Sequence, residues 1–295
     1  MSRLEMKNGS FRIMEVHSLN VTPDNARQIA LKLRSAVNMC APGLVILNGD
    51  TVSGIADSAV LYAAASVIAS AVTSGGAGFA VTFGDRDEIG SPARSEQLEI
   101  WRSLGCLTEA GPDDIDGVGN CVIPVYDGER KAFAVRLFDS HAETTAYERD
   151  YGSPSRSRLP YPLYSHYYMD GVRFNQTMWL RDTFDPDVPE ALFFHTPTPE
   201  HAQLPLNAAQ VSFDGIQREE VRCQTVNGGV AMTAADLRGV MGIFCGNDER
   251  NDFFGRLWGM TFGVAPSFES AGTAHIADIA YENGRMELKA SRITV

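Results

Sequence analysis

Three times before residue 106 the chain runs from a β-prone apolar stretch through a polar turn into a helical stretch, and this recurrence restricts the fold more than any other feature. FRIMEV (11–16) leads into TPDNARQIALKLRSAV (22–37), where Thr22 is the expected N-cap and Pro23 the first helical residue. GLVILNGD (43–50) leads into the small-residue helix ADSAVLYAAASVIASAV (56–72), and GFAVTFGDRDEIG (78–90) into SPARSEQLEIWRSLG (91–105). Consecutive βα units predict a layered α/β fold whose strand C-termini open onto a common crevice, the usual place for a ligand in such sheets. Polar residues at those ends are therefore candidates for function.

Beyond residue 120 the pattern turns to strands, with CVIPVY (121–126), AFAVRLFDS (132–140), EALFFH (190–195), VMGIFC (240–245), LWGMTFGV (257–264), AHIADIAYE (274–282) and RMELKASRITV (285–295); NQTMWLRDTF (175–184) reads as a short helix. Between them, residues 141–170 are Pro-, Tyr- and Arg-rich and read as one long loop, a candidate lid over the crevice with His141 and His166 at its flanks. A formal net charge of −12 and a pI near 4.9 argue against nucleic-acid and anionic-membrane partners. Five cysteines without a CxxC pair signal reduced thiols rather than a disulfide framework or a zinc knuckle. With no apolar core near the N-terminus to serve as a leader, the expected location is cytoplasmic. We expect one domain over residues 1–295, with 44% hydrophobic residues to fill its core.

Five apolar strands close on polar groups: HSLN (17–20), NGD (48–50), GDRD (84–87), FFHTP (193–197) and GNDE (246–249). With PGLVILNGDTVSG, ALFFHTPTPEH and GIFCGNDERNDFFG as its most specific blocks, the chain resembles the calcineurin-like metallophosphoesterases, in their purple-acid-phosphatase-like branch, from residue 11 to the C-terminal strands. That resemblance implies a four-layer αββα sandwich, two mixed sheets flanked by helices. It also implies two metal ions bridged by an aspartate, activating water and holding the phosphoryl oxygens, with a histidine assisting the leaving group.

The family's ligand positions are largely altered here. Its first Asp and His correspond to Ser18 and Asn20, its Asn to Asp85, its assisting His to Arg86, and two later His to Asn247 and Glu249; Asp50, Asp87 and His195 are kept. Ser18, Asn20, Asp50 and Glu249 are an all-oxygen set ill-suited to iron or zinc, so the first metal position is expected to hold none. Asp50, Asp85, His195 and Asn247 could bind one hard ion, Mn²⁺, Mg²⁺ or Ca²⁺, weakly; the other reading is that Asp50 and His195 are framework residues bonded to their neighbours. Ser18 and Asn20 read more simply as turn caps than as ligands.

Arg86 stays charged at neutral pH and cannot protonate a leaving alkoxide, but it can grip an anion or offset crowded carboxylates in place of a metal. The first functional reading is thus a phosphoesterase-family binding protein taking a small anionic or phosphorylated ligand through Arg86, with Asn20, Asn247, Glu249, His141 and His166 as further contacts. The alternative is a single-metal or repurposed phosphomonoesterase or phosphodiesterase in which Arg86 clamps substrate and Asp87 or Glu249 serves as acid or base. A third, metal-free acid-base chemistry of the Asp50, Asp85 and Glu249 carboxylates, ranks last.

Overall fold

A computed structural model describes residues 3–142 and 169–295. Its five-stranded sheet has the order β13-β12-β2-β3-β4, where β2 is Ser10–Val16, β3 Leu44–Asn48, β4 Gly78–Thr82, β12 Thr273–Glu282 and β13 Arg285–Thr294. The eight-stranded sheet runs β1-β5-β6-β7-β9-β11-β10-β8, with β1 Leu4–Glu5, β5 Cys121–Asp127, β6 Arg130–Leu137, β7 Glu190–Phe193, β8 Phe213–Ile216, β9 Val240–Cys245, β10 Asp252–Leu257 and β11 Met260–Val264. Both sheets are mixed: β2, β3 and β4 are parallel, as are β6, β7, β9 and β11, while β12 and β13 return antiparallel.

Alternation along the strands separates three apolar layers. In β2, Met14 and Val16 face helices α1 (Ala26–Cys40), α2 (Ser58–Thr73) and α3 (Arg94–Ser103), while Ile13 faces the second sheet. In β7, Phe193 points between the sheets, and Leu192 points to the layer of α4 (Phe174–Thr183), α5 (Pro199–Leu206) and α6 (Val230–Leu237). This is the expected four-layer αββα sandwich. A short helix, α7 (Phe268–Ala271), precedes β12.

The helix expected from Thr22 begins instead at Ala26. Thr22 N–H donates to Asn25 Oδ1 (2.8 Å) and Asn25 N–H to Thr22 Oγ1 (3.3 Å), a reciprocal pair that holds residues 22–25 as a turn and makes Asn25 the N-cap. The α2 start behaves as its sequence suggests, with Asp57 accepting from Ala59 N–H and Val60 N–H. Pattern reading passes over the short helices α5 and α6, which pack on the eight-stranded sheet, and the short strands β8 and β10, which end it. Most of the candidate lid, including His166, lies outside the described residues. No helix among the described residues is long and apolar enough to cross a membrane.

Candidate functional site

The loops that leave β2, β3, β4, β7 and β9 meet at one end of the sandwich. Their backbone is bent: Ser18 (φ 47°), Asn20 (φ 45°), Asp50 (φ 53°) and Asn247 (φ 67°) are all left-handed, a conformation that costs non-glycine residues on the order of 1 kcal/mol each. Bonds between loops hold it, with Ser18 N–H donating to Gly49 O and Asn20 N–H to Asp50 O, both at 3.0 Å. Two glycines permit the close approach at the centre: a Cβ at Gly49 would collide with the His195 ring, and one at Gly84 with the Asp50 carboxylate.

His195 (0% exposed) donates from Nδ1 to the Asn48 carbonyl at 2.9 Å, which leaves Nε2 facing Asp50 Oδ2 at 3.4 Å and Asp85 Oδ1 at 3.7 Å. Nε2 is buried and has no hydrogen-bond partner. Burial works against a charged imidazole, but Asp50 and Asp85 outweigh it and raise His195 to about 10. Asp85, pushed up by burial, is brought down to about 2 by His195, Arg222 and Arg86. Ligand atoms of Asp50, Asp85 and His195 all lie within 4.8 Å of one another, and an unpartnered buried nitrogen facing two carboxylates suits a cation between them. These three residues therefore fit one divalent ion. Asn247 stands in the loop after β9, with its Nδ2 turned to the Arg222 carbonyl at 2.8 Å.

The residues at the first metal position are committed to other groups of the protein instead. Arg86 Nη2 donates to Glu249 Oε1 at 2.7 Å and Nη1 to Asn20 Oδ1 at 3.3 Å, and Nε lies 3.8 Å from Asp50 Oδ2. Ser18 Oγ pairs with His17 Nδ1 at 2.8 Å, and Asn20 Nδ2 donates to Glu269 at 3.0 Å. A guanidinium bonded to two members of the set, with no imidazole among the ligands, does not fit a transition metal. Asp50 is shielded from solvent, whereas the side chains of Arg86 (35% exposed) and Glu249 (38% exposed) form the mouth of the crevice.

Asp87 corrects the expectation of an acid or base. It is buried with its carboxylate turned into the backbone, accepting from Asp50 N–H (2.8 Å), Gly84 N–H (2.8 Å) and Val52 N–H (3.0 Å). Burial and the neighbouring Asp50 charge push it up to about 7, against the Gly84 and Val52 N–H donors and the His195 charge. Its position lets it fix the loops after β3 and β4 but not touch a ligand. His141 stands apart as well, lining an adjoining groove of about 390 Å³ with Arg94, Asp139 and Arg173. His17, His201 and His275 are core residues, and His17 packs edge-on against His195 at 5.8 Å between centroids.

Arg222 is the site residue that the sequence did not mark. It arrives from the segment before α6, is anchored through Asn247 O and Asp248, and adds its charge beside Asp85. The only signal was its place in the stretch EEVRCQTVNGG (219–229), which carries part of the resemblance.

A mixed two-sheet sandwich with this loop crest is the architecture of a metallophosphoesterase. No family model matches the chain. Among curated proteins it is similar to probable inactive purple acid phosphatase 28 of Arabidopsis thaliana, 24% identical over 258 residues, covering 80% of this chain and 60% of that protein. It is also similar to probable inactive purple acid phosphatase 14 of the same plant, 22% identical over 244 residues, with 76% and 58% covered. The chain thus spans about 60% of the length of the curated relatives it matches. Among solved structures, a dimetal phosphatase from Danio rerio superposes with a TM-score of 0.62 at 12% identity, covering 96% of this chain and 98% of that one. GAP50, the anchor in the inner membrane complex of Plasmodium, follows at 0.50 and 10% identity, covering 98% and 90%. By sequence the chain is similar to proteins of the purple-acid-phosphatase-like branch, and its fold is that of the calcineurin-like metallophosphoesterases.

Proposed function

We propose that this chain binds a small phosphorylated or otherwise anionic ligand at the crevice mouth and does not carry out dinuclear phosphoester hydrolysis. The observation that carries the reading is Arg86, whose guanidinium spans Glu249, Asn20 and Asp50 where the family would hold its first metal. A permanently charged fork offsets the carboxylates without an ion, yet it has no proton to give a leaving alkoxide. About a third of the side chain faces solvent, so an incoming phosphate can take N–H groups now directed at Glu249, with the Arg222 charge on the Asp85 side. The relatives named as inactive phosphatases support the same reading.

The test is calorimetric titration with inorganic phosphate and O-phosphoserine, beside turnover of p-nitrophenyl phosphate in Mn²⁺. Binding that is lost in Arg86→Ala, with turnover no higher than in Asp50→Asn, is the expected result. Turnover requiring two ions per chain overturns the proposal.

A second reading rests on the unpartnered Nε2 of His195. One Mn²⁺ or Mg²⁺ held by Asp50, Asp85 and His195 would supply Lewis acidity toward a phosphoryl oxygen. Arg86 would then orient the substrate, and Glu249, the carboxylate at the mouth, would handle the proton that Asp87 cannot reach. One bound ion together with Glu249-dependent hydrolysis favours this enzyme over the binding protein.

A further inference from the structure

We infer that the chain carries a second binding surface, at the end of the sandwich opposite the crevice, that takes an extended acidic peptide segment of a protein partner along the free edge of β13. A groove of about 350 Å³ lies there, bounded by the residues that start β9 and by the β10–β11 and β12–β13 turns. Arg238, Arg256 and Arg285 line it over an apolar floor that includes Met241, Met286 and Leu288, where the core between the sheets reaches the surface. It is independent of the crevice, which lies beyond the other ends of β7 and β9.

Charge is the first argument. In a chain of net charge −12, most described arginines elsewhere pair with carboxylates, as Arg12 does with Asp278, Arg94 with Asp139, Arg136 with Glu190 and Arg292 with Asp214. Among the described residues none of the three groove arginines makes an ion pair; Arg256 only donates to the Gly259 carbonyl at 2.9 Å. All three are exposed, and Glu287 is the one carboxylate among the groove residues. Unpaired guanidiniums around a concavity suit a partner that brings carboxylates.

Strand geometry is the second. Side chains alternate between the faces of a strand, yet four consecutive residues, Arg285 to Leu288, line this groove. The groove therefore follows the edge of β13 rather than one of its faces. β13 is the terminal strand of its sheet, and no strand among the described residues pairs with its outer edge. An extended peptide could add there through main-chain hydrogen bonds, placing carboxylates on the arginines and an apolar side chain on the methionine floor. A small anion would use the arginines alone.

The probe is a fluorescein-labelled octapeptide of alternating Glu and Val, followed by fluorescence anisotropy at low salt with the full chain. Binding should weaken at least tenfold in Arg238→Ala/Arg256→Ala/Arg285→Ala, and at least tenfold when alternate peptide nitrogens are methylated. It should persist in Arg86→Ala, which separates this surface from the crevice. The three arginines are exposed and unpaired, so the triple variant should melt as the parent does. Absence of binding, equal binding by the triple variant, or equal binding of the methylated peptide overturns the proposal; displacement by pyrophosphate with no effect of methylation identifies a simple anion site instead.

Discussion

Replacing Arg86 by alanine tests whether a fixed cation holds the carboxylates of the crevice together. The Glu249 pair, at 2.7 Å, is about one-third exposed on both sides, so solvent screening leaves it worth ~0.5–1 kcal/mol. Asp50 is far more buried, with a side chain 3% exposed and its Oδ2 3.8 Å from Nε. At an effective dielectric near 20 that attraction is about 4 kcal/mol, which the solvent-facing side of the guanidinium reduces to roughly 1–2 kcal/mol. Removal should therefore cost about 1.5–3 kcal/mol in metal-free buffer at pH 7, read as a lower urea midpoint with an unchanged slope. The loss should shrink in high salt. Mn²⁺ should then stabilise Arg86→Ala more than the parent, because Asp50 and Glu249 are freed for it; an ion at a hundred times its Kd adds about 2.7 kcal/mol. A variant as stable as the parent in chelator at low salt would refute the charge-balancing role.

Three further outcomes are expected. Glu15, 1% exposed between the sheets, is raised by burial from 4.5 to about 8, with Oε1 accepting from Asn48 Nδ2 and Oε2 without a hydrogen bond, 3.9 Å from His275 Nδ1. The folded state therefore holds a proton that the unfolded chain releases, and the residue's contribution to stability falls as pH rises from about 4.5 to 8, by up to about 5 kcal/mol; Glu15→Gln should flatten that part of the pH–stability curve, and an unchanged slope would count against it. Asp87→Ala should cost about 2–4 kcal/mol in urea denaturation, since three buried N–H groups lose their acceptor; a silent substitution would show that the carboxylate does not hold the loops. Gly84→Ala should destabilise by about 1–3 kcal/mol and weaken any Mn²⁺ binding, because its methyl meets the Asp50 carboxylate; calorimetry of unfolding and of metal binding reads both effects.

The βα repeats and the five polar strand exits were legible because both are local properties. Apolar periodicity, the Asp57 cap and the glycine turns act within a few residues, so β2, β3, β4, α2 and α3 appear close to where their sequences place them. The identities of Asp50, Asp85, Arg86, His195 and Glu249 were likewise open to reading. What each does depends on atoms distant in sequence. Asp87 and Arg86 are adjacent, yet one carboxylate turns inward because the amides of residues 50, 52 and 84 converge on it, and the guanidinium turns outward because Glu249 arrives 163 residues later. Arg222 gains a role only when the segment before α6 docks beside Asp85. The arginines of the far groove, spread over residues 238–285, meet only because three elements end together there. Short-range sterics and hydrogen bonding set the elements from sequence alone, whereas the direction of a long charged side chain is decided by opposite charge that only tertiary packing delivers.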